Sequence, residues 1–541
     1  MSILEVRPAG ERALLIELSD LDSVLALNGT LLDHPLPGQV EVLPAARTVQ
    51  LSFNTPEQAR AAMHLAADIE LGESAASSGR LIEIPVHYDG ADLAAVAELT
   101  GLSIEAVIDA HCAQQWTAAF GGFAPGFAYL AAENDTLQVP RRDTPRTAVP
   151  AGSVALAGNY SAVYPRESPG GWQLLGHTEL RMWDSHRENP ALIAPRDIVR
   201  FRAVPARATL SEQTTAQPST PLGNGASAAH GPGLRILDAG VQSLLQDEGR
   251  AHLGHLGVPR SGAADLTALH QANRLVGNHP ARAAIENLTG RLAVQAQGDM
   301  VLALAGADVC AEITPAEHDE LRHPRPAPLN APFALLDGER LRLSPGAAGL
   351  RSYLSIRGGF AVEAELGSCS SDTLSGLGPA PLRSGDFLPV NPVRSGHIVG
   401  APEPSTLPLP EAEGHYLLRI TPGPRADWFD TSGMTRLTDQ DWVVSSDSNR
   451  VGVRLSTTDE GLPLERTRSG ELQSEGVPLG ALQVPPNGLP VLFLADHPVT
   501  GGYPVIATVR EADVALAAQL PPGTHVRFTL DSSGTLNPAT R

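Results

Sequence analysis

Short apolar runs that stop at glycine or proline recur along most of this chain, and they restrict it to mainly β architectures. Ala13–Leu18, Leu81–His87, Tyr416–Ile420, Val491–Leu494 and Val526–Leu530 are each the length of a strand and end in turn residues. That rhythm predicts β-barrels or sandwiches. Helices are expected at few places. Thr55-Pro56 caps and starts one over Glu57–Glu70, Ala91–Thr100 ends at Gly101, Ser103 caps Ile104–His111, and Ala264–Val276 ends before Gly277.

With 541 residues, 42% of them hydrophobic, the chain exceeds what a single core sustains, so several domains are expected. The stretch Ala203–Gly233 is almost devoid of large apolar residues and reads as a flexible linker between two halves. A weaker break lies at Gly400–Glu413. The expected order is an α+β N-terminal domain (1–80), a barrel (81–202), the linker (203–233), a first β subdomain (234–400), a connecting segment (401–413) and a second β subdomain (414–541). The halves also end alike. Val149-Pro150, Gly170-Gly171-Trp172 and Pro195–Phe201 recur in order as Val484-Pro485, Gly501-Gly502-Tyr503 and Pro522–Phe528.

Sixty acidic against 39 basic residues give a net charge of -21, which disfavours nucleic acid and anionic membranes as partners. All the basic residues are arginine. A chain without lysine forms no Schiff base, carries no amine-linked biotin and builds no P-loop. Any ATP would be held by arginines, backbone N–H groups and a metal. Three scattered cysteines fit a reducing compartment, and the start of the chain lacks a signal peptide's apolar core. With no run approaching a membrane span, a soluble, cytoplasmic protein is expected.

Three stretches of the first half are distinctive: Gly121-Gly-Phe-Ala-Pro-Gly-Phe-Ala-Tyr-Leu130, Val149–Gly158, and Tyr164–Trp172 with Gly176-His-Thr178. They resemble the B-type polypeptide of 5-oxoprolinase, a family that also includes kinase-inhibitor-like regulatory proteins. The second half carries Gln246-Asp-Glu-Gly-Arg250, Gly257–Gly262, Leu366-Gly-Ser368, Thr421–Pro424 and Gln483–Pro486 before Gly501-Gly-Tyr-Pro504. This is similar to the C-type polypeptide, the biotin-dependent carboxyltransferase-like partner. The resemblance implies fused cyclophilin-like barrels in an ATP- and Mg-dependent lactam hydrolase that opens 5-oxoproline to glutamate with a separate A-type polypeptide. A carboxyltransferase acting on urea or a related amide is the enzymatic alternative, and a kinase-inhibitor-like binding protein is the non-enzymatic one. Cys369-Ser370-Ser371, Asp496-His497-Pro498-Val499 and His177 depart from the usual family pattern.

Arginines and backbone donors suit phosphates, and carboxylates suit Mg²⁺ or proton transfer. Asp247 and Arg250 could form such a pair, or a turn carboxylate with a neighbouring arginine. Asp496 and His497 follow an apolar strand, where a catalytic role competes with turn capping. These make Asp247, Asp496 and His497 the catalytic candidates. Phe123, Pro125, Gly126, Gly170 and Trp172 suit either a pocket for a flat ligand or tight core turns. Arg250, Ser153, His177, Ser368, Thr500 and Gly501 complete the candidate substrate or nucleotide contacts. The histidines show no zinc-ligand spacing in sequence, and no metal ligands are assigned.

Overall fold

The computed structural model describes residues 2–71, 79–142, 144, 146–205, 231–317, 321–393, 398–468, 470 and 472–531. Most of the expected linker, residues 206–230, lies outside the described residues.

Residues 3–67 form a four-stranded antiparallel sheet, Ile3–Pro8, Ala13–Leu18, Thr48–Phe53 and Gln39–Pro44 in spatial order, with helices Leu21–Asp33 and Pro56–Ala67. The second helix starts as expected. Thr55 and Gln58 cap each other reciprocally, with Pro56 opening the first turn. Leu21–Asp33 was not expected, since Asn28, Gly29 and Thr30 are weak helix formers. Val24, Leu27 and Leu31 nevertheless sit in this domain's core, and packing prevails over propensity.

The next seven-stranded sheet runs in spatial order Gln173–His177, Ser153–Ala157, Tyr160–Val163, Ala128–Ala132, Trp116–Gly121, Ile198–Ala203, Leu81–Val86. Reciprocal main-chain bonds between His87 and His177, 2.8 and 2.9 Å, bring its two edges together, so the sheet is nearly closed. Beyond residue 230, a six-stranded and a five-stranded sheet share one core. Leu234, Val294 and Leu341 of one sheet meet Leu245, Ile285 and Leu354 of the other. The last unit is a closed barrel ordered His415–Pro422, Val505–Val509, Ala481–Gln483, Val491–Phe493, Gly452–Thr457, Trp442–Val444, His525–Leu530.

The two seven-stranded units repeat each other strand for strand. In both, the last strand pairs in parallel with the first and antiparallel with the strand that opens on tryptophan. Trp116 Nε1 donates to the carbonyl of His111 five residues back, and Trp442 Nε1 to that of Leu437, both at 3.1 Å. Phe201 and Phe528 fill the equivalent inward positions. The similar endings in the sequence are therefore a repeat of topology. Each unit also carries a two-stranded arm, Arg146–Val149 with Ser168–Gly170 in one and Glu475–Gly476 with Thr500–Gly501 in the other.

Helices Thr431–Asp439 and Glu511–Ala518 were also unexpected. The second begins after Arg510, whose side chain supplies no cap to signal it. Among the described residues, no helix is long and apolar enough to cross a membrane.

Candidate active site

Where the halves touch, residues of the two arms face each other across a cavity of about 150 Å³. The first half supplies Phe123, Phe127, Tyr129, Arg141, Tyr164 and Pro169–Trp172. The second half closes it with Ser474 and Thr500–Gly502. Of the residues singled out in sequence, Phe123, Gly170, Trp172, Thr500 and Gly501 converge here.

The aromatic wall is rigid. Phe127 meets Tyr164 and Trp172 edge to face, at centroid distances of 5.3 and 5.5 Å. Phe123 adopts φ 62°, a left-handed conformation uncommon outside glycine, and its N–H donates to Thr500 Oγ1 at 3.2 Å. An added Cβ on Gly170 would stand 2.2 Å from the Tyr164 hydroxyl, so only glycine lets the main chain approach so closely.

Burial raises the Tyr129 phenol and pushes Tyr164 up to about 12, while the Arg141 guanidinium works against both shifts. The phenols are therefore neutral hydrogen-bond donors near pH 7, beside one positive charge. Arg141 and Ser474 carry no signal in the sequence. Neither sits in a recognisable motif, and only the folded chain brings them together.

A buried ionic joint flanks the cavity. Arg425 binds Glu475 of the second arm at 2.8 Å and Glu17 of the N-terminal domain at 2.9 Å. Gly126 joins the halves at a separate point, its N–H donating to the Leu256 carbonyl at 3.2 Å, and Pro125 lies buried beside it.

The remaining candidates lie elsewhere. Asp496 is fully buried and held bidentately by Arg450 at 2.8 and 2.9 Å, accepting also from Ser261 and Thr373. Arg450 bonds in addition to Glu286, which ties the paired sheets to the last barrel. Asp247 and Arg250 do not bond to each other. Asp247 accepts from the Ser368 and Ser370 hydroxyls, both at 2.6 Å, and from Cys369 N–H. Arg250 donates to the Glu365 and Ser370 carbonyls. Burial and the Asp496 charge push the nearby Asp372 up to about 6.

His497 bonds the Pro498 carbonyl and stacks on Phe493, and burial lowers its pKa. His177 pairs with Asp89 at 2.9 Å on the barrel seam, opposite the buried Ser153. None of these residues lines the cavity.

Both halves of the architecture belong to the carboxyltransferase-domain class by their sequence matches. The family model for carboxyltransferase subdomains C and D matches residues 4–193, and that for subdomains A and B matches residues 256–530. The second half is 35% identical to the C polypeptide of 5-oxoprolinase from Escherichia coli K12, over 54% of this chain and 90% of that protein. The first is 42% identical to the B polypeptide of 5-oxoprolinase from Escherichia coli O157:H7, over 31% of this chain and 78% of that one. A crystal structure of TTHA0988 superposes on both halves together, with a TM-score of 0.82 and 34% identity, covering 96% of this chain and 99% of that one. The chain belongs to the family of 5-oxoprolinase B and C polypeptides, carried here as a fusion.

Proposed function

We propose that this chain is the B–C component of an ATP-dependent 5-oxoprolinase, opening 5-oxo-L-proline to L-glutamate together with a separate A polypeptide. The observation that carries this reading is the cavity itself, built from both halves and sized for one small ring. A void of roughly 150 Å³ accepts a molecule such as benzene. In this reading Arg141 binds the substrate carboxylate, the most direct use of one guanidinium in an aromatic pocket. Phe123, Phe127 and Trp172 hold the flat lactam, while neutral Tyr129 and Tyr164 with the Ser474 and Thr500 hydroxyls surround its amide. Donors aimed at the amide oxygen would favour the charge that gathers there during hydrolysis.

ATP and Mg²⁺ belong to the reaction as a whole. Pockets that bury drug-sized ligands measure roughly 300–1,000 Å³, so this cavity by itself does not enclose a nucleoside triphosphate. The carboxylates of Asp247 and Asp496 are occupied by protein donors and do not suit a magnesium site. Both observations support placing the nucleotide on the A polypeptide or at its contact with this chain.

The carboxyltransferase-domain match favours one second reading, transfer from carboxybiotin to a urea-like amide. A chain without lysine would need a separate biotin carrier for it. Both readings are tested by mixing the purified chain with MgATP and the A polypeptide. Glutamate and ADP should form from 5-oxoproline only when all components are present; turnover of urea with a biotin carrier instead would overturn the proposal.

A further inference from the structure

The outer wall of the last barrel carries a side-chain cluster separate from the pocket. His415 and His525 begin the barrel's parallel strand pair, and the register sets them side by side. Leu418, Ile420, Val526 and Phe528 of these strands lie in the core, which leaves His415, His525 and Arg527 pointing outward. The two imidazoles stack 4.5 Å apart with planes at 16°. Asp441 immediately precedes the strand that flanks His525 on its other side, and its Oδ2 lies 3.5 Å from His415 Nδ1. Its other oxygen accepts Arg527 Nε at 2.7 Å, which orients the carboxylate. His525 Nδ1 is buried and bonds to nothing among the described residues. One ligand atom from each of the three residues lies within 4.8 Å of the other two.

We propose that His415, Asp441 and His525 bind one divalent transition-metal ion of the zinc class. Two imidazoles and one carboxylate suit Zn²⁺, Co²⁺ or Ni²⁺, whereas Mg²⁺ and Ca²⁺ prefer oxygen donors, so the site is distinct from any that serves a nucleotide. Ligands about 2.0–2.1 Å from zinc stand roughly 3.4 Å apart, closer than the present spread. His415, two-thirds exposed, can turn to close the gap. The ion supplies the partner that His525 Nδ1 lacks and leaves one position for water. It also fastens the barrel's first strand to its last, at their parallel junction.

The test uses the full chain and ZnCl₂ alone, by calorimetric titration and thermal unfolding. One site should appear, and Tm should rise with zinc. His415→Ala, at an exposed position, should leave the metal-free Tm unchanged and weaken zinc binding by roughly 10-fold or more. Asp441→Asn and His525→Ala should also abolish the zinc-dependent rise in Tm. A wild-type chain that takes up no zinc, or a His415→Ala chain that binds it as tightly as wild type, would overturn the proposal.

Discussion

The main-chain N–H of Phe123 donates to Thr500 Oγ1 at 3.2 Å, so a left-handed residue in the wall of one half is held by a threonine of the other. Such a backbone conformation costs on the order of 1–3 kcal/mol and persists only where its surroundings hold it. Replacing Thr500 with valine keeps the shape and removes the acceptor. We expect turnover to fall by roughly 10- to 100-fold, since small misplacements at a reacting centre are costly. Tm should change little. Glutamate formation and thermal unfolding measured together check this, and unchanged turnover would show that the joint does not shape the site.

Arg141 lines the cavity beside two neutral phenols. A hydrogen bond to a charged group contributes about 1.5–3 kcal/mol, so Arg141→Gln should raise KM for an anionic substrate by roughly 10- to 100-fold. Stability should change little, because interactions of an exposed residue contribute at most about 1 kcal/mol. Steady-state kinetics decide the matter. Equal KM for mutant and wild type would move the carboxylate site away from Arg141.

Asp496 and Arg450 form a buried bidentate pair with both side chains essentially inaccessible. Removing one partner leaves an uncompensated buried charge, at a cost of about 3–5 kcal/mol. Asp496→Ala should therefore lower the denaturation midpoint markedly, by equilibrium unfolding in urea. Near-native stability with abolished turnover would instead return Asp496 to a direct part in the chemistry.

Asp372 is buried beside Asp496, and its pKa is raised in the folded state to about 6. The folded chain thus binds this proton more readily than the unfolded one. The group's contribution to stability is full below its ordinary value near 4 and is lost as pH rises through about 6. The loss is on the order of 2–3 kcal/mol. Asp372→Asn removes the titration. Its stability relative to wild type should improve by about that amount between pH 4 and pH 7, by urea unfolding at each pH. A pH-independent difference would contradict this assignment.

Much of the fold is local chemistry written along the chain. Thr55-Pro56 starts a helix because the cap and the preset φ act within four residues. The glycine- and proline-bounded apolar runs become strands because their side chains fit a pleated, half-buried surface. The similar endings at Pro195–Phe201 and Pro522–Phe528 report a shared barrel topology, since both close the sheet through the same parallel pair. Family motifs likewise marked Phe123, Gly170, Trp172, Thr500 and Gly501.

Other outcomes depended on residues hundreds of positions apart. Asp247 and Arg250, three apart in sequence, each bond to the segment around Ser368 and Ser370 and not to each other. Asp496 follows an apolar strand, where a catalytic role and turn capping are the two readings, yet Arg450 and the paired sheets enclose it completely. Arg141 and Ser474 carry no motif and become pocket walls only because the two halves pack together. Caps, turns and strand patterns act over a few residues, so the sequence alone determined them. Enclosure and convergence arise only when separate sheets pack, so the tertiary structure decided which polar groups are buried in pairs and which face a cavity.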